Sequence, residues 1–117
     1  MAVRHSTSAL VTRWQSAQYP TLSNISQLMN REGLTPYHAV FTPNHRQPNH
    51  SHGFKKIFYL VEGTLEVNLP DDNVCYVLKV GDRVELPRGV YYSLTVGASG
   101  AKCLEASLRP SRATQNT

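Results

Sequence analysis

Acidic residues are missing from the first 31 positions, cysteine occurs only twice, and the longest apolar runs fall far short of a bilayer span. Each absence closes off a class of protein. A membrane-crossing helix needs roughly 20 consecutive apolar residues, so none is expected and no membrane partner is assigned. Cys75 and Cys103 are too few and too far apart for a disulfide-stapled secreted scaffold. They read as buried reduced thiols, which favours a cytoplasmic location, although strands distant in sequence can still be neighbours. The chain also lacks a Gly-rich phosphate loop, a GxSxG elbow and a CxxC pair. The chemistries that those motifs carry are therefore not expected here.

The net charge of +4 is unevenly placed. Residues 1–31 carry +3, residues 107–117 carry +2, and residues 32–106 are close to neutral at −1. A nucleic-acid surface needs basic residues clustered in a patch or stripe. With the excess confined to the two ends, no nucleic-acid partner is expected.

What is present reads as one domain of short strands. At 117 residues the chain supports a single core. Residues 1–35 form an N-terminal segment, with a short strand around Ala9-Leu10-Val11. It also holds a helix whose apolar stripe is Leu22, Ile25, Leu28 and Met29, with Thr21 or Ser23 to cap its start and Gly33 its end. Residues 36–108 form a barrel and 109–117 a disordered polar tail. Within the barrel, Tyr37–Phe41 is a strand and Thr42–Asn49 a loop. Leu65, Val67 and Leu69 alternate with polar residues, and Pro70-Asp71-Asp72-Asn73 turns into a return strand over 74–80. Tyr91–Val96, a loop at Gly97–Gly100 and a strand over 102–108 complete it. Short strands with regular Gly and Pro turns predict a closed all-β barrel.

The chemistry concentrates at His50-Ser51-His52 and Lys56, on the approach to Phe58-Tyr59-Leu60-Val61-Glu62-Gly63. Two His at i and i+2 of a strand project from one face, which aims two imidazoles at one ion or ligand. Lys56, Phe58 and Leu60 share their parity. Ile57, Tyr59 and Val61 face the other way and are also apolar, so both faces need cover, from a second sheet or from a second copy of the chain. A homodimer is the expected assembly.

Together with Gly81-Asp82, Pro87-Arg88-Gly89 and Tyr92, this stretch resembles the two-part cupin motif. That pattern runs HxH, spacers, Glu and a strand ending in Gly, then G, five spacers, PxG, two spacers and His. Gly63, Gly81, Asp82, Pro87 and Gly89 fit residue by residue over roughly 36–106. Two positions depart: Lys56 stands where the pattern has Glu, and Tyr92 where it has His. Glu32-Gly33-Leu34-Thr35-Pro36-Tyr37 together with Lys56 is similar to a cupin subgroup. The resemblance implies an eight-stranded double-stranded β-helix, or jelly roll, with a small polar pocket at the barrel mouth. Family members bind Zn, Ni, Fe, Mn or Cu and include dioxygenases, isomerases and non-enzymatic binders. Only His50 and His52 carry over as metal ligands, with His45 and His38 as the substitutes for the missing one.

The expected ligand site is therefore His50, His52, Lys56, Tyr92 and Phe58, with Leu60, Leu65, Val67 and Leu94 completing an apolar floor. Lys56 and Tyr92 are the candidate catalytic residues. Lys56 is either a cation for an anionic ligand, a base of depressed pKa, or one half of a salt bridge to Glu105 or Glu62. Tyr92 is an acid, a hydrogen-bond partner or a barrel-lining aromatic. Two functions remain open: binding of a small polar or anionic ligand, and a cupin enzyme. The enzyme is either metal-dependent through His50 and His52, or metal-free with a His base and a Tyr acid on opposite sides of one carbon.

Overall fold

The computed structural model describes residues 9–109. Its elements run β1 (Leu10–Thr12), α1 (Leu22–Arg31), β2 (Tyr37–Phe41), β3 (Arg46–His50), β4 (Lys55–Leu69), β5 (Val74–Leu78), β6 (Arg83–Leu86) and β7 (Tyr92–Leu108). The architecture rests on β4 and β7, of 15 and 17 residues, which pair antiparallel along their length. The first half of β4 also pairs with β6, and its second half with β5. In the same way β7 holds β3 on its first half and β2 on its second. Each long strand thus has a different outer neighbour on each half, and all seven strands join in one sheet that bends at the β4–β7 pair.

The bend explains a difference from the sequence reading. Gly97–Gly100 is not a loop between two strands but the middle of β7, and the described residues hold seven strands. The ladder shifts register at Leu60/Glu62 and Gly63/Leu65, which puts bulges where the strands turn the corner. Gly63 has φ +87°, and a Cβ there would sit 2.0 Å from the Gly100 carbonyl oxygen. Only glycine allows that approach.

The stretch expected as a loop from Thr42 to Asn49 is also corrected. A tight turn at Pro43-Asn44, with Asn44 at φ 62°, is followed by β3, whose Arg46 and Gln47 lie opposite Thr95 and Leu94. Pro48 sits on this edge strand at a register irregularity, where its missing N–H leaves no gap in a ladder.

Two cores result. Inside the barrel, Phe58, Leu60, Leu65, Val67, Val84, Leu94 and Cys103 pack together. Outside it, α1 lays Ile25 and Met29 on Ile57, Tyr59, Leu104 and Ala106. Thr21 caps this helix by accepting from the Asn24 N–H at 3.1 Å, and Gly33 follows its end at φ +83°. Full burial of Ile25 and Met29 stabilises the chain by roughly 1.5–3 kcal/mol each. The apolar outer face of β4, which argued for a dimer, is therefore covered by the chain's own helix. Glu32 fastens the end of that helix to the sheet by accepting from Tyr59 at 2.6 Å and from Arg83 at 3.1 Å. No helix among the described residues is long and apolar enough to cross a membrane. Met1–Ser8 and the expected tail beyond Arg109 lie outside the described residues.

Candidate functional site

Register determines which side chains meet inside the barrel. On β7, Tyr92, Leu94, Cys103 and Glu105 face inward. Glu105 lies opposite Phe58 on β4 and opposite Tyr37 on β2, and Tyr92 lies opposite His50. Lys56, two residues before Phe58, is diagonal to Glu105, within reach of a long side chain. The two form an ion pair at 3.2 Å, with side chains only 16% and 8% exposed. The Tyr37 hydroxyl donates to Glu105 at 3.3 Å and also meets Ser107 at 3.1 Å.

At the end of the barrel His52 Nε2 lies 2.8 Å from the Tyr92 hydroxyl. A backbone bond from the Gly89 N–H to the His52 carbonyl at 3.0 Å ties the two halves of the sequence motif together. The His50 ring stands edge-on to His52 at 4.9 Å between centroids and 4.4 Å from Tyr92. A polar chain thus runs Tyr37, Glu105, Lys56, Tyr92, His52 along one wall. The cavity beside it measures about 320 Å³, with Gln47 and the apolar Ala39, Phe41, Phe58 and Leu94 completing its lining. A larger groove of about 510 Å³ lies on the outer face of the sheet over Glu66, Asn68, Ser93 and Thr95, but it holds no buried ion pair.

The electrostatics follow from burial. Removal from water disfavours the Lys56 ammonium, but Glu105, Tyr92 and Tyr37 outweigh that and lift its pKa above the ordinary lysine value. Burial pushes Tyr92 up, against the pull of Lys56, so the phenol stays protonated. Burial, then the Lys56 and His50 charges, push His52 below the ordinary imidazole value. Lys56 is thus held as a cation in an ion pair with Glu105.

His50, His52, Lys56, Phe58 and Tyr92 do gather at one end of the barrel. His50 and His52, however, do not share a strand: β3 ends at His50, and His52 lies in the connection to β4. His45 is not beside them. Its carbonyl accepts from Val96 while His50 lies opposite Tyr92, a backbone separation of about 13 Å at the rise of a strand. Its ring stacks on Phe41 instead. His38 alternates with the inward Tyr37 and Ala39 and faces the helix side, near Ser26 and Gln27. Glu62 pairs with Lys102, not with Lys56. Two polar residues of the wall, Tyr37 and Gln47, escaped the sequence-based site, and Glu105 entered it only as a candidate salt-bridge partner of Lys56. Glu105 was legible as the one acid in Cys103-Leu104-Glu105-Ala106, and Tyr37 by its parity with Ala39 and Phe41.

No protein-family model and no curated protein matches the chain. Solved structures do. An RmlC-like cupin from Shewanella frigidimarina superposes with TM-score 0.57 at 23% identity, over 69% of this chain and 70% of that one. A DUF861 family protein from Thermotoga maritima matches with TM-score 0.58 at 15% identity, over 86% of this chain and all of that one. The polyketide cyclase RemF from Streptomyces resistomycificus matches with TM-score 0.53 at 21% identity, over 69% of this chain and 60% of that one. At these identities the likeness is one of fold. The chain is a small cupin-fold protein, an all-β jelly-roll barrel with one helix.

The metal that this fold commonly holds does not fit the donors present. His50 Nδ1 donates to the Pro48 carbonyl at 2.8 Å, and its Nε2 accepts from the Gln47 amide at 3.3 Å. His52 Nε2 is engaged by Tyr92. Among the described residues no three His, Cys, Asp or Glu side chains converge as a ligand set. Where a carboxylate ligand would stand there is an ammonium paired with Glu105, which cannot ligate while protonated.

Proposed function

We propose that this cupin-fold protein binds a small molecule in its barrel cavity, and that the part of the ligand inside is uncharged, hydrogen-bonding and partly apolar. The buried Lys56–Glu105 pair in the cavity wall carries this reading. The pair is neutral as a whole, so an ion placed against it gains little attraction and loses its hydration. The hydroxyls of Tyr37 and Tyr92 offer directional partners, and Phe41, Phe58 and Leu94 give an apolar wall.

The test is a ligand-observed NMR screen of neutral phenols, lactams and small polyols, beside a Leu94→Trp variant that fills the cavity. Neutral fragments are expected to bind the wild type and to lose binding in the variant. Hits that bind both equally, or an absence of hits, would overturn the reading.

The Tyr92–His52 bond favours a second reading, enolisation of a bound carbonyl compound: a water takes the Cα proton while the Tyr92 hydroxyl protonates the carbonyl oxygen, and solvent returns the proton to Tyr92. Its check is exchange of solvent deuterium into an enolisable ketone, lost in Tyr92→Phe. The metal-free enzyme with His and Tyr on opposite sides of one carbon is not proposed, because these two side chains are bonded to each other.

A further inference from the structure

The rim of the barrel carries a stack that the cavity chemistry does not use. The Phe54 ring lies 4.7 Å from the His52 ring, nearly parallel to it, and the Arg109 guanidinium carbon sits 4.8 Å from the same Phe54 centroid. His52 in turn reaches Tyr92 and the cavity. Arg109 is thereby held at the end of β7 by a ring that belongs to the site. It makes no ion pair with any acid among the described residues. Its cationic neighbours differ: Lys56 is matched by Glu105 at 3.2 Å and Lys55 by Glu85 at 2.8 Å. Among the described residues Arg109 thus presents a positive charge with no acidic partner at this end of the barrel.

The imidazoles offer little to the rim. His52 Nε2 is engaged by the Tyr92 hydroxyl. His50 contributes nothing further, since both its nitrogens are engaged by Pro48 and Gln47.

We propose that Arg109, stacked on Phe54, recognises an anionic group, a carboxylate or phosphate, at the mouth of the barrel. Resting on the cavity reading above, this makes the ligand a small organic anion: its charge stays at the rim and its uncharged body enters the cavity. The stack suits that task. A guanidinium lying on an aromatic face keeps its edge N–H groups free for two parallel bonds to an anion, and stacking limits the rotamer freedom lost on binding.

The experiment uses the full chain, isotope-labelled, with two probes. Inorganic phosphate at pH 8 reports the rim; phenol, which is uncharged at pH 7, reports the cavity and is titrated at that pH. Phosphate is expected to shift the Arg109 Nε–H, Phe54 and His52 signals saturably, at lower concentration than the exposed Arg31. Arg109→Gln is expected to weaken that response at least fivefold, and Phe54→Leu to weaken it with the charge retained. A response at Arg109 no stronger than at Arg31, or one at His52 that persists in Arg109→Gln, overturns the proposal. Phenol shifts at Tyr37 and Leu94 do not depend on Arg109, so their absence condemns the cavity reading and their presence leaves the rim to stand or fall on phosphate.

Discussion

Tyr92 and His52, forty positions apart in the chain, are joined by a 2.8 Å hydrogen bond at the end of the barrel. Burial, then the Lys56 and His50 charges, lower the His52 pKa, and stability should depend on it. His52 has a lowered pKa in the folded state, so between that value and the ordinary 6.5 the unfolded chain binds more protons. Its contribution is present above pH 6.5 and is lost as pH falls toward the folded value. Urea denaturation at pH 7.5 and pH 5 should show a larger drop in midpoint for the wild type than for His52→Gln. Equal drops would mean that another group governs the acid limb.

Lys56 and Glu105 should behave as a unit. Lys56→Met strands a buried carboxylate and is expected to cost about 3–5 kcal/mol, whereas Lys56→Met combined with Glu105→Leu should recover most of that loss. The measurement is chemical denaturation of both variants. A double variant as unstable as the single one would show that the pair is needed for more than mutual neutralisation.

Metal analysis of untagged protein, purified without chelators, should find far less than one equivalent of any transition metal. Gln47→Ala and Tyr92→Phe together free both Nε2 atoms and are expected to raise metal uptake over the wild type. A stoichiometric ion in the wild type, lost in His50→Ala/His52→Ala, would contradict the donor argument.

Gly63→Ala should be among the most damaging single changes, since a Cβ there would meet the Gly100 carbonyl at 2.0 Å from a backbone at φ +87°. A loss of about 3 kcal/mol or more, or failure to fold, is expected. Gly53→Ala, where nothing lies within 4 Å, is the control and should change little. Comparable thermal midpoints for the two variants would refute the role given to the bend.

Local pattern carried much of this fold. The stripe Leu22, Ile25, Leu28, Met29 gave the helix and its cap, and alternation through Leu65, Val67 and Leu69 gave the second half of β4. Short strands between Gly and Pro turns pointed to an all-β barrel, and the cupin resemblance carried by the spaced glycines and Pro87 implied the jelly roll. What local pattern misled on was continuity. Gly97–Gly100 has loop composition, yet its glycines serve close approach within a paired strand, a property of the partner strand and not of the segment. The apolar outer face of β4 showed that something must cover it, but Ile25 and Met29 could not be matched to Ile57 and Tyr59 without the packing. At the site, residue types were readable while partnerships were not. Lys56 could be seen as either a free cation or half of a pair, and only the β4–β7 register brings Glu105 diagonal to it. The same register argument removes His45, which sequence proximity alone had kept beside His50.

The seam between β4 and β7 has a mechanical consequence. Because β4 and β7 pair along their length, broken only by the bulges at the bend, the two halves of the sheet cannot part there without unzipping the longest pairing among the described residues. Breathing of the cavity falls instead to the short edge strands β2 and β3, which contribute Tyr37, Ala39, Phe41 and Gln47 to its lining. Amide hydrogens of Phe58 and Leu104 should therefore outlast those of β3 by orders of magnitude in deuterated solvent. A ligand then enters a vessel with one stiff wall and one compliant wall, and the compliant wall carries no member of the ion pair.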